Sequence, residues 1–184
     1  LDGQVRSVRG VLPAVLAAKK LGFSKALVPL KNYSEATCVS GIEIIAINSL
    51  TDALQYLRFG KIPDAPEHFI SAESNSYLDL CDVAGQTGAR KALEVAAIGG
   101  HHLLFIGPPG TGKTMLAERI PSILPPLSED SILEVTAIHS IAGTLLDREL
   151  LSKLPPFVAP HHTTTAPAMI GGGAHAIRPG ATSL

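Results

Sequence analysis

The stretch that decides the fold is Leu103-Leu104-Phe105-Ile106-Gly107-Pro108-Pro109-Gly110-Thr111-Gly112-Lys113-Thr114. Four apolar residues precede a glycine-rich turn, so the pattern predicts a buried strand that leads into a tight loop. A helix is expected to follow, from Gly112 to about Ile120, because Pro121 disfavours its continuation. Strand, loop and helix in this order are the context that a phosphate-binding loop requires.

The loop from Gly107 to Thr114 carries the groups that a triphosphate needs. Its glycines let backbone N–H groups approach the β-phosphate, and the N-terminus of the next helix adds partial positive charge. Lys113 is expected to bridge the β- and γ-phosphates as the catalytic residue, and the Thr114 hydroxyl to ligate Mg²⁺. A chance match is the alternative, expected in roughly one chain in a hundred at a glycine frequency of about 7%. The predicted site for ATP and Mg²⁺ therefore comprises Gly107, Pro108, Pro109, Gly110, Thr111, Gly112, Lys113 and Thr114.

Hydrolysis at such a loop needs a second, acidic segment, which is an apolar strand that ends in Asp, usually with Glu. The nearest candidate is Thr144-Leu145-Leu146-Asp147-Arg148-Glu149, where only two consecutive apolar residues precede the acid. We interpret this segment as an exposed turn or a helix end. The sequence thus predicts a fragment that binds ATP weakly and turns it over little by itself.

Composition narrows the class of protein. The 184 residues are 46% hydrophobic and 17% charged, which is typical of a soluble globular protein. The formal charge of −1 shows no basic excess of the kind that marks a nucleic-acid binder. Cys38 and Cys81 fit no metal spacing, which favours free thiols in a reducing cytoplasm. No apolar run approaches the ~20 residues that cross a bilayer, so we expect no membrane role and a cytoplasmic location.

The first 60 residues alternate strands with helices. Strands are predicted at 4–8, 26–28 and 42–47, and a helix from about Leu12 to Leu21 is stopped by Gly22. Ser49, with Asp52 three residues later, is a plausible cap for a helix that runs through Leu57. These alternating elements indicate an α/β fold.

A linker is predicted over residues 61–81, where turn-forming residues replace apolar periodicity. Beyond it, a helix at 86–97 is expected to be closed by Gly99-Gly100, and its shared apolar face consists of Ala89, Ala92, Leu93 and Ala96. Another helix is expected over 128–139. The Pro-, His- and Gly-rich tail from Leu154 onward is predicted to form loops or short hairpins.

Several strings resemble the magnesium-chelatase-like AAA+ proteins of the ComM/YifB type. They are Asp82-Val83-Ala84-Gly85-Gln86, the helix Arg90 to Ala97, Gly99-Gly100-His101-His102, the loop continuing through Met115-Leu116-Ala117 to Leu127, and Pro160-His161-His162 with Gly171-Gly172-Gly173. The resemblance covers nearly the whole chain. It implies an α/β chain in which residues 82–184 form the first part of a P-loop AAA+ domain with a parallel sheet, truncated before the acidic Walker B strand.

By this resemblance, Val83 and Gln86 would line the adenine pocket, and Met115 would join the nucleotide site. The longer protein would be an ATPase that assembles as a hexameric ring and acts on branched DNA in recombination. The resemblance leaves two alternatives open: a remodelling motor like the ATPase subunit of magnesium chelatase, and a nucleotide-binding module without turnover.

Residues 1–60 resemble the C-terminal half of the Lon-type (S16) peptidase fold, through Gly10-Val11-Leu12-Pro13, the string from Leu16 to Phe23, and Val28-Pro29. Aligning that pattern puts Leu12 where the catalytic lysine of a Ser–Lys dyad would stand. We therefore expect a partial, non-proteolytic Lon-like domain. His101-His102 and His161-His162 suggest a metal, but adjacent histidines diverge on a strand and no third ligand has a recognised spacing.

Overall fold

The computed structural model of the chain describes residues 2–63, 78–145, 152–173 and 178–184. These residues form a mixed α/β structure that separates into two compact units. The larger unit contains residues 2–63, 130–145, 160–173 and 178–184, and the smaller unit contains residues 78–129 and 152–159. The larger unit is therefore built from stretches that are far apart in sequence.

The helices are α1 (Val11–Lys20), α2 (Tyr33–Ala36), α3 (Leu50–Phe59), α4 (Thr87–Gly99), α5 (Lys113–Ala117), α6 (Glu129–Ala142) and α7 (Ala166–Ile170). The strands are β1 (Lys25–Pro29), β2 (Glu43–Ile47), β3 (Gly171–Gly172) and β4 (Arg178–Pro179). Short 3₁₀ turns occur at Leu30–Asn32, Leu80–Asp82 and Ile120–Ile123.

Strands β1 and β2 form a parallel pair, in register from Lys25 opposite Glu43 to Pro29 opposite Ile47. A parallel pair needs a crossover connection, which here contains a 3₁₀ turn and α2. The predicted strands at 26–28 and 42–47 are confirmed. The core against this pair consists of Val11, Leu12, Val15, Val28, Ala36, Val39 and Ile42.

Helix α3 begins at a capping box. The Ser49 hydroxyl accepts a hydrogen bond from the Asp52 N–H at 3.2 Å, and the Asp52 carboxylate accepts from the Ser49 N–H at 2.8 Å. That carboxylate also accepts from the Asn48 N–H at 2.9 Å, and this backbone bond is the main cause of a lowered pKa at Asp52. The predicted cap is confirmed. It satisfies two backbone N–H groups that would otherwise lack an acceptor at the start of the helix.

Helix α6 buries Ile132, Thr136, His139 and Ser140 along one face. Within the larger unit, the Ser140 hydroxyl donates to one oxygen of the buried Glu35 carboxyl at 2.6 Å. The other oxygen of Glu35 accepts from Asn32 Nδ2 at 2.5 Å, and Gly10 N–H donates to the Ser140 carbonyl at 3.1 Å. A buried polar network therefore joins α6 to residues that lie about a hundred positions earlier.

The smaller unit has a core of Leu80, Val83, Leu93 and Leu116, all at most 3% exposed. The predicted helix at 86–97 is confirmed as α4, which ends at Gly100 in a left-handed conformation. The prediction of a buried strand at Leu103–Ile106 is wrong. No segment of residues 78–129 or 152–159 pairs with it, and Leu104 and Ile106 are 79% and 88% exposed. A strand needs a hydrogen-bonded neighbour, and these residues supply none.

The predicted helix from Gly112 to Ile120 is too long. Helix α5 ends at Ala117, and the chain tightens through bonds such as Arg119 N–H to the Leu116 carbonyl. Pro121 then lies in the following 3₁₀ turn, consistent with its effect on the preceding residues.

The tail departs from the predicted loops in one element. Helix α7 begins with Pro167 in its first turn, a position where proline's missing N–H costs nothing. The antiparallel pair of β3 with β4 agrees with the prediction of short hairpins. Leu146 to Glu149 of the proposed turn lie outside the described residues. Among the described residues, every helix is too short or too polar to traverse a lipid bilayer.

Candidate nucleotide-binding site

The lysine of the glycine-rich loop makes hydrogen bonds to the backbone at the start of the same loop. Lys113 Nζ donates to the carbonyl oxygens of Gly107 at 2.8 Å and Pro108 at 2.7 Å. The Thr111 hydroxyl also donates to the Pro108 carbonyl, at 2.9 Å. Gly110 and Gly112 have φ of +79° and +81°, a region where a side chain would strain the backbone. The motif therefore forms a closed, curved loop, as its glycines predict.

The loop is anchored through the helix that follows it. Leu116 on α5 is 1% exposed and belongs to the same core cluster as Val83 and Leu93. Met115 packs against this cluster while partly exposed, and Thr114 is exposed at the beginning of α5. The core beneath α5 therefore holds Lys113, the Thr114 hydroxyl and the loop backbone close together.

The segment before α4 reaches the loop through Gln86. Its side-chain Nε2 donates to the Thr111 carbonyl at 3.0 Å. Arg90 Nη1 donates to the Val83 carbonyl at 3.1 Å, and the Val83 side chain is 2% exposed. The structure therefore brings Gln86 to the phosphate loop and buries Val83 beneath it in the core.

Two side chains that the sequence analysis did not select also support the site. Arg119 donates through Nε to the Asp79 carbonyl at 3.1 Å and through Nη1 to the Met115 carbonyl at 2.9 Å. The Asp79 carboxylate accepts from the Cys81 N–H at 2.8 Å, which lowers the pKa of Asp79. The signal that could have revealed this turn is an Asp two residues before its bonded N–H, the pattern of an Asx turn.

The donor set of the loop suits a triphosphate with Mg²⁺. It offers an ammonium, two glycines in left-handed conformation and an exposed threonine hydroxyl. A Cβ on Gly112 would lie 2.7 Å from Gln86 Nε2 and 3.2 Å from the Met115 methyl, so a side chain there would displace the Gln86 amide as well as strain the backbone. Residues of this kind match the cradle that glycine-rich loops provide for phosphates.

The two histidine pairs have contacts of their own. His161 Nδ1 lies 2.8 Å from the Thr163 hydroxyl, and its ring centroid is 4.0 Å from that of His162. His101 and His102 line an open groove of about 440 Å³ beside α4. In the described stretches, no three His, Cys, Asp or Glu side chains are arranged to hold a metal ion.

Comparison with known proteins identifies the family of the chain. The family model described as magnesium chelatase, subunit ChlI, matches residues 79–184, which is more than half of the chain. The chain therefore belongs to the magnesium chelatase family, whose membership makes it an AAA+ protein.

Several relatives match over all or nearly all of this chain. An uncharacterised protein of Mycobacterium tuberculosis H37Rv is 50% identical over 188 residues, covering 100% of this chain and 36% of that protein. The competence protein ComM of Haemophilus influenzae is 40% identical over 189 residues, covering 100% of this chain and 36% of ComM. The uncharacterised protein YifB of Escherichia coli is 38% identical over 177 residues, covering 95% of this chain and 34% of YifB.

These matches make the chain a ComM/YifB-like member of the family, and the resemblance stated from the sequence is confirmed. The chain spans about a third of the length of the curated relatives it matches.

Proposed function

We propose that this chain binds ATP with Mg²⁺ through the loop from Gly107 to Thr114. The observation that carries the proposal is the closed loop itself, in which Lys113 Nζ lies within 2.8 Å of two loop carbonyls. An ammonium in this position can exchange those carbonyls for phosphate oxygens, which are stronger, charged partners. Met115, Val83 and Gln86 complete the proposed site beside the loop.

Each residue has a distinct role in this proposal. Lys113 neutralises charge on the β- and γ-phosphates, and the glycines bring backbone N–H groups close to them. The Thr114 hydroxyl is the protein ligand of Mg²⁺, since this ion keeps most of its other positions for water and phosphate oxygens. ATP held there would supply a phosphoryl group for transfer to water in the longer protein.

For the longer protein, we propose an ATP-driven hexameric ring motor that acts on branched DNA in the cytoplasm. The support is the ComM/YifB-like assignment and the competence role named for the H. influenzae relative. In this proposal residues 1–60 are a non-proteolytic Lon-like domain, 61–81 a linker and 82–184 the first part of the AAA+ core.

The second candidate is a remodelling motor of the magnesium chelatase kind, favoured by the description of the matching family model. The two candidates differ in their dependence on DNA. In a protein of the relatives' full length that carries this chain, we expect ATPase activity to rise with branched DNA and Holliday junctions to migrate. An ATPase that no DNA affects would favour the remodelling motor, and binding without any hydrolysis would favour a passive nucleotide module.

The binding proposal is tested with a fluorescent ATP analogue and the variant Lys113→Ala. Charge-assisted hydrogen bonds contribute about 1.5–3 kcal/mol, so we expect binding to weaken by about 10- to 100-fold. Lys91→Ala on α4 is the matched control, because Lys91 is exposed and is not part of the loop. Equal affinity of the wild-type chain and Lys113→Ala would contradict the proposal.

A further inference from the structure

Gln86 combines an unusual backbone with a contact to the phosphate loop. It is the one non-glycine residue with positive φ among the described residues, at φ 47° and ψ 38°. Such a conformation costs free energy and persists only where the surroundings enforce it. The Gln86 side chain uses this backbone to reach the Thr111 carbonyl, 25 residues away in sequence, at 3.0 Å.

This hydrogen bond fixes the direction of a whole peptide unit. Peptide bonds are planar, and the described chain has no cis bond, so the N–H of Gly112 points opposite to the Thr111 carbonyl. When the Gln86 amide holds that carbonyl on its own side, the Gly112 N–H is directed away from Gln86. The amide also packs close to the Gly112 Cα, where a Cβ would lie 2.7 Å from Nε2. Gly112 immediately precedes Lys113, so the orientation is set at the start of α5.

Gln86 is held to α4 and to the core of the smaller unit by hydrogen bonds of its neighbours. Its own carbonyl accepts from the Arg90 N–H at 3.0 Å, in the first turn of α4. Arg90 Nη1 binds the Val83 carbonyl, and Val83 is buried in the same cluster as Leu116 of α5. The amide that touches the loop is thus attached on its other side to the core on which the loop helix rests.

We propose that Gln86 is a positioning residue of the phosphate loop, which orients the Thr111–Gly112 peptide for the β- and γ-phosphates. This role rests on the proposed ATP site and deepens it. It differs from contact with the base, because a loop-positioning side chain affects only ligands that reach the loop with their β-phosphate. The alternative, in which Gln86 contacts the base, affects every adenine nucleotide alike.

The test uses Gln86→Met in the 184-residue chain, since methionine keeps the length of glutamine but cannot donate the hydrogen bond. Displacement of a fluorescent ATP analogue by ATP and by AMP gives the two affinities. We expect ATP to bind about fivefold more weakly, the loss of one ordinary hydrogen bond, and AMP to bind within about twofold of the wild-type value. Gln55→Met on α3 is the matched control and should change neither affinity.

A second variant keeps the result interpretable if methionine strains the backbone. Gln86→Gly removes the amide in a residue that adopts positive φ freely, and it should give the same difference between ATP and AMP. Equal losses for ATP and AMP, or no loss for ATP, would overturn the positioning role. If Lys113→Ala also left ATP binding unchanged, the nucleotide site itself would fall, which separates the two failures.

Discussion

Two largely apolar segments of the chain adopt different structures. Lys25–Pro29 pairs with Glu43–Ile47, and its Val28 is 4% exposed. Leu103–Ile106 is at least as apolar, yet it pairs with no segment of the smaller unit and its Leu104 is 79% exposed. Apolar composition therefore indicates where a strand can form, whereas a neighbouring strand within hydrogen-bonding distance decides whether it does form.

The largest expected effect contrasts the cores of these two segments. Leu12→Ala removes a side chain of 0% exposure from the core against the paired strands, so we expect unfolding of the larger unit to become easier by about 2–5 kcal/mol. Leu104→Ala should change the free energy of unfolding by no more than about 0.5 kcal/mol. Urea unfolding of both variants measures the two changes in the free energy of unfolding. Comparable changes would mean that Leu104 is buried in solution, which would contradict the contrast between the two segments.

A smaller effect is expected for the polar network under α6. Ser140→Ala leaves one oxygen of the buried Glu35 carboxyl without its donor, which costs about 1–3 kcal/mol. Ser34→Ala, at an exposed position of α2, is the control and should stay within about 0.5 kcal/mol of the wild type. Thermal unfolding would tell them apart. Identical midpoints would show that α6 does not depend on this bond.

The smallest effect concerns pH and the cap of α3. The folded-state pKa of Asp52 is lowered below its ordinary value of 3.8, first by the Asn48 N–H bond. Its contribution to stability is therefore complete above that ordinary value and is lost as pH falls through the folded-state pKa. The advantage of wild type over Asp52→Ala should be constant near neutral pH and shrink below about pH 4. A pH-independent advantage would contradict the assignment.

Local signals in the sequence predicted most of the elements whose causes are local. Ser49 and Asp52 specify the start of α3 by themselves, and the glycine at position 100 specifies the end of α4. Helix α7 was missed because Pro167 was interpreted as a loop former, although proline is well suited to a first helical turn.

The limits of prediction appear where distant residues meet. The phosphate-loop motif can be identified from the sequence alone, because its glycines, Lys113 and Thr114 are close together along the chain. The Gln86 bond to Thr111 cannot be, because nothing in either residue's neighbourhood points to the other. The same holds for the bond between Ser140 and Glu35, and for the lack of a strand paired with Leu103–Ile106 among the described residues. Each depends on the tertiary arrangement, which a single sequence does not display.

The bond between Glu35 and Ser140 has a consequence for synthesis on the ribosome. Its two ends are 105 residues apart, so residues 78–129 of the smaller unit are made between them. At about 5–20 residues per second, roughly 5–20 s pass before the second half of the larger unit can join the first. Glu35 and Gly10 lack their hydrogen-bond partner on α6 until Ser140 has been made. We therefore expect the larger unit to complete its folding only after α6 has left the ribosome.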